Sequence, residues 1–68
     1  MEDDKIIYNR LLKRYYNGCK YLEENPNDFS KYIDNLLDIK EKLEKTLIKI
    51  IKQNENVSDI EILEGFKN

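Results

Sequence analysis

Between Pro26, the single proline, and Gln53 the chain contains no glycine, and within that run Phe29, Tyr32, Ile33, Leu36, Leu37, Leu43, Leu47, Ile50 and Ile51 recur at three- and four-residue spacing. That spacing predicts a helix with one broad apolar face. On its polar side Asp38/Lys42 and Glu41/Lys45 stand four residues apart, where opposite charges support a helix by roughly 0.2–0.5 kcal/mol a pair. About 28 residues at a rise of 1.5 Å make a rod of ~42 Å. A rod that long with one apolar face must find something to lie against.

The preceding segment is the first candidate. From about Lys5 to Glu24, Tyr8, Leu11, Leu12, Tyr15, Cys19 and Leu22 repeat with the same period and predict a helix of about 20 residues, ~30 Å long. The stretch ENPND then reads as a corner. Asn25 is placed to cap, Pro26 suits a first helical position because its missing N–H costs nothing there, and Asp28 lies where a capping box puts an acid. So short a connection makes the two helices antiparallel neighbours.

After the polar break QNEN, Ser58 and Glu61 form an S-x-x-E capping box, and Val57 can staple against Ile62. These predict a short third helix over about 59–66, with Ile60, Leu63 and Phe66 on one face and Ile62 beside it. The expected fold is one all-α domain spanning 1–68: a hairpin of two long helices, about 5–24 and 26–53, plus the short third.

This plan has a consequence at its open end. The first helix is shorter than the second, so Leu47, Ile48, Ile50 and Ile51 overhang, and each large apolar side chain left in water forgoes about 1.5–3 kcal/mol. The closing segment either folds back as a lid or docks on a second chain, as in a symmetric homodimer. Tyr8, Tyr16, Leu47, Ile50, Ile51, Ile60, Leu63 and Phe66 are the candidate interface residues. Five tyrosines and two phenylalanines exceed what one hairpin readily buries, and tyrosine is favoured where a surface is half covered.

Size points the same way. A chain of 68 residues buries about 60% of its unfolded surface and is marginal without a disulfide, a metal or a partner. With Cys19 the single cysteine and no histidine, an internal disulfide is impossible and a zinc site has no usual donor set. The unpaired thiol and the lack of a signal or membrane-spanning stretch place the chain in the cytoplasm. Abundant Lys, Ile and Asn is the usage of an AT-rich genome.

No catalytic, cofactor or metal site is expected. There is no histidine and no glycine-rich phosphate loop, and Ser58 is accounted for as a cap. Cys19 lies on the apolar face of helix one and reads as a small hydrophobe, although Lys20 and Arg14 nearby could lower its pKa. Asp34, Asp38 and Glu41 read as a solvated acidic face. Gly18, in an N-G pair inside helix one, marks either close packing against Tyr32 and Ile33 or a kink.

Charge is segregated beneath a net of -2: residues 5–20 carry Lys5, Arg10, Lys13, Arg14 and Lys20 with no acid, and residues 55–68 carry Glu55, Asp59, Glu61 and Glu64 against Lys67. Arg10, Lys13 and Arg14 form a basic patch with Tyr16 beside it and Lys20 farther along. Such a patch suits phosphates with bases stacked on the ring, an acidic protein, or the acidic third helix of a neighbouring subunit.

The short helical hairpin with a polar corner is similar in plan to small bacterial regulators such as the Sda-type histidine-kinase inhibitors and the Spo0E-like phosphatases. The S-Q-E-L-D signature of the latter is absent, so no phosphatase residue carries over. The expected function is a non-enzymatic protein–protein interaction module, a small regulator or adaptor of bacterial or phage type. Its partners would be itself and another protein. The alternative is a nucleic-acid-binding module using Arg10, Lys13, Arg14 and Lys20.

Overall fold

The computed structural model describes residues 3–53 and 56–67. Helix α1 spans Asp4–Glu24, a 3-10 turn spans Pro26–Asp28, α2 spans Phe29–Gln53 and α3 spans Asp59–Glu64. The long axis of 41 Å is set by α2, whose 25 residues account for about 38 Å. Asn54 and Glu55 of the expected polar break lie outside the described residues.

Local chemistry explains where the helices begin and end. Asp3 caps α1, its carboxylate accepting from the Lys5 N–H at 3.0 Å. At α3 the expected capping box is formed in both directions, with Ser58 Oγ accepting from the Glu61 N–H at 3.2 Å and Glu61 Oε1 accepting from the Ser58 N–H at 3.1 Å.

The corner differs from expectation in detail. Asn25 closes α1 instead of opening α2: its backbone N–H and its Nδ2 both donate to the Tyr21 carbonyl, at 2.8 and 2.9 Å. Asp28 accepts from the Tyr21 hydroxyl at 2.7 Å. Both polar side chains are thus drawn back to α1, Asn25 to a carbonyl of its last turn and Asp28 to the Tyr21 hydroxyl.

The hairpin core is formed by Tyr8 and Leu12 of α1 with Leu43 and Ile50 of α2, closed at the open end by Phe66, and Leu11, Tyr15, Ile39, Leu47 and Val57 pack around it. Helix α1 continues unbroken through Gly18, so packing rather than a kink accounts for the glycine. Its nearest contact, however, is Leu36, with a Cβ at Gly18 lying 2.7 Å from Leu36 Cδ1, while the expected Tyr32 lines the same cleft and Ile33 does not. The 3-10 turn takes up chain at the corner and moves the facing residue about one turn along α2.

The third helix is shorter than expected, ending at Glu64 rather than Phe66, because Gly65 adopts φ +95° and turns the chain. Phe66 therefore leaves the helical face predicted for it and is buried, while Ile60 and Leu63 point outward with 64% and 62% of their surface exposed. The half-buried Ile62 is the residue that α3 itself turns inward.

Candidate interaction surface

Helix α1 holds the closing segment with polar side chains that flank its apolar face. The Tyr8 hydroxyl donates to the Ile62 carbonyl at 2.7 Å and the Tyr16 hydroxyl donates to the Leu63 carbonyl at 2.6 Å. These carbonyls lie at the end of α3, where no further turn of helix satisfies them. Asn9 receives the N–H and supplies a donor to the carbonyl of Phe66, both at 2.6 Å. The Phe66 ring meets Tyr8 edge to face at 5.4 Å between centroids, with the Lys5 ammonium 5.6 Å from its centre.

The closing segment is a lid within its own chain, and it covers half of the overhang. Ile50 is 2% exposed and Leu47 half-buried, whereas Ile48 and Ile51, on the flank of α2, remain 52% and 44% exposed. Tyr8, Ile50 and Phe66, three of the expected interface residues, thus belong to the core of one chain. Tyr16, Ile51, Ile60 and Leu63 remain at the surface.

Clefts open on both flanks of the hairpin. One of about 290 Å³ runs beside α3, with Tyr15, Tyr16, Lys40, Glu44, Leu47 and Leu63 among its walls. Another of about 210 Å³ lies on the opposite side of the hairpin near the corner, with Gly18, Tyr21, Tyr32 and Leu36 in its lining. Tyr21 and Tyr32 meet edge to face there at 5.7 Å. The hydrogen bond to Asp28 is the main cause that raises the Tyr21 phenol above its ordinary value.

Arg10, Lys13, Arg14 and Lys20 are all exposed on α1. Lys13 shares a cleft of about 380 Å³ with Asn9, Tyr16, Asn17 and Glu64, so the acidic third helix already lies beside the basic one within the chain. Tyr16, the ring expected to serve this patch, has its hydroxyl committed to Leu63.

On α2, Asp38 and Glu41 pair with Lys42 and Lys45 at 3.2 and 3.1 Å. Among the described residues no group of three cysteine or carboxylate side chains converges as a metal site. Cys19 is half-buried beside Leu22, Glu23, Phe29 and Leu36. No described helix is long and apolar enough to cross a membrane.

Compared with known proteins, the chain matches no family model, no curated protein and no solved structure.

Sequence reasoning missed Asn9 and Gly65. A lone asparagine within a helix carries no periodic signal, and its partner is the backbone of a segment 57 residues away. Gly65 offered a fainter sign, as a glycine two residues after the last periodic leucine is where helices commonly end.

Proposed function

We propose that this chain is a non-enzymatic protein–protein interaction module, a small regulator or adaptor of bacterial or phage type that works in a reducing, cytoplasmic compartment. One observation carries the proposal: Leu37, Ile48, Ile51, Ile60 and Leu63 are each at least 44% exposed in a chain whose buried core is only a handful of side chains. Scattered apolar residues are ordinary on a protein surface. Here, though, three of the five follow one flank of a single helix, which suits recognition of a partner's apolar face.

The test compares the parent with a Leu37→Ser, Ile48→Ser, Ile51→Ser variant in two assays. One is solution mass by light scattering; the other is photocrosslinking in cells of its source from a residue flanking the triad, followed by identification of the products. Loss of self-association or of a discrete crosslink, with the helical signal and melting temperature kept, supports an interaction surface. Identical behaviour of the two proteins in both assays overturns it.

A nucleic-acid-binding module is the alternative, supported by the exposure of all four cations Arg10, Lys13, Arg14 and Lys20. Phosphate contacts release counterions, so binding to an oligonucleotide would weaken steeply with salt, whereas an apolar interface would hardly respond.

A further inference from the structure

Six residues of α2, Ile33, Leu37, Lys40, Glu44, Ile48 and Ile51, follow one another at spacings of four, three, four, four and three. Such spacing follows the ordinary helical period and keeps them on one ridge, beside the face that meets α1. Its apolar members lie at the two ends and its two charges in the middle. Leu37 is 53% exposed and Ile48 52%, and Lys40 and Glu44 are exposed as well.

Those two charges, like most on α2, are not engaged in an ion pair with any described residue, whereas Asp38 and Glu41 each reach a lysine four residues on. A lysine placed before its glutamate is the weaker arrangement of an i,i+4 pair. Both instead border the cleft beside Leu47 and Leu63, where apolar walls reduce screening by water.

The ridge is also self-complementary when reversed. Counted outward from Lys42, Lys40 and Glu44 lie two residues to either side, Leu37 and Ile48 five and six, and Ile33 and Ile51 nine. Two copies laid antiparallel about a twofold axis at this point set each Lys40 against the other chain's Glu44, twice, between apolar contacts at both ends. In-register parallel pairing would set lysine on lysine and glutamate on glutamate. Charge therefore selects the antiparallel arrangement.

We propose that the partner of this surface is a second copy of the chain, docked antiparallel through the flank of α2, with two reciprocal Lys40–Glu44 ion pairs at the centre of an isologous interface. This rests on the interaction-module proposal and names the occupant of its surface.

Charge reversal tests it by sedimentation equilibrium at low ionic strength, with circular dichroism to establish that each variant remains helical. Lys40→Glu and Glu44→Lys each place like charges opposite one another twice and should weaken the dimer about tenfold or more. Mixing the two variants in equal amounts sets a chain with glutamate at both positions against a chain with lysine at both, and should restore a dimer of near-parental strength. The double variant K40E/E44K should restore it as a homodimer, which also shows that neither change harms the fold.

A parent that stays monomeric at the highest concentration reached overturns self-pairing, and the interaction proposal then stands or falls on the cellular crosslink. A parental dimer indifferent to both single changes, or single variants that fail to recover on mixing, overturns this register while leaving an interaction surface in place.

Discussion

Asn9 grips both backbone polar groups of Phe66, its Nδ2 donating to the carbonyl at 2.6 Å and its Oδ1 accepting from the N–H at 2.6 Å. A side-chain amide presents a donor and an acceptor side by side, which is what an extended residue offers to a strand partner. By this means a helix satisfies the backbone of a segment that is neither helix nor sheet, and Phe66 can be buried without leaving its peptide groups unpaired.

Replacing Asn9 with alanine should therefore cost about 1–3 kcal/mol, the range for leaving half-buried backbone groups without partners. Asn9→Asp keeps the acceptor but sets a second acceptor against the Phe66 carbonyl, so it should not rescue. Urea unfolding measures both. An unchanged midpoint for the alanine variant would mean that the clasp contributes nothing in solution.

Gly65 makes the clasp possible. Its φ of +95° with ψ of 168° lies in a region essentially reserved for glycine, and an added Cβ would stand 2.6 Å from Asn9 Oδ1. Gly65→Ala should lose about 1–3 kcal/mol to backbone strain, and the crowding of Asn9 adds to it. Because both substitutions release the same contact, the double variant N9A/G65A should be less destabilised than the sum of the two singles. Additive effects in a double-mutant cycle would show that Gly65 acts on something other than Asn9.

Leu63 and Phe66 are separated by the same turn, and their substitutions should part company. Phe66, 5% exposed and in contact with Tyr8, should behave as a core aromatic whose truncation costs about 3–5 kcal/mol, so Phe66→Ser should lower the melting temperature sharply or unfold the lid. Leu63, 62% exposed, should tolerate Leu63→Ser within about 0.5 kcal/mol. Thermal melts of the two single variants decide this, and equal losses would return Leu63 to the covering face that its spacing first suggested.

The three helices were legible because their signals are local and repeated. Period, the single proline and the S-x-x-E box marked the existence of α1, α2 and α3, and the length difference between α1 and α2 foretold an overhang, of which the closing segment covers Leu47 and Ile50 but leaves Ile48 and Ile51 exposed. What depended on a single residue or a distant contact was not legible. Gly65 ends α3 before Phe66 and so reassigned the inward position from Leu63 to Ile62. The 3-10 turn shifted the nearest contact of Gly18 from Tyr32 to Leu36, and Asn9 acts on a backbone far along the chain. The Lys40–Glu44 pair was visible as two letters, but that no described residue pairs with either could be seen only once their neighbours had been placed.

Tyr8 ties the lid to alkaline pH. It is 3% exposed, its hydroxyl donates to the Ile62 carbonyl, and burial, followed by the nearby Tyr16, raises it above the ordinary phenol value of 10.0. The folded chain then holds this proton more tightly than the unfolded one, so the stabilisation is complete below about pH 10 and is lost as pH rises through the folded value. Tyr15, raised chiefly by burial, and Tyr21, raised chiefly by its hydrogen bond to Asp28, act in the same direction. Stability should therefore fall steadily above about pH 10 in the parent. Tyr8→Phe removes the Ile62 bond, costing about 1 kcal/mol near neutrality, and should also make the alkaline decline shallower because one of the three linked protons is gone. Melting temperatures of the two proteins between about pH 7 and 11 measure both effects. Parallel curves would show that Tyr8 ionises alike in the folded and unfolded chain and does not link the lid to pH.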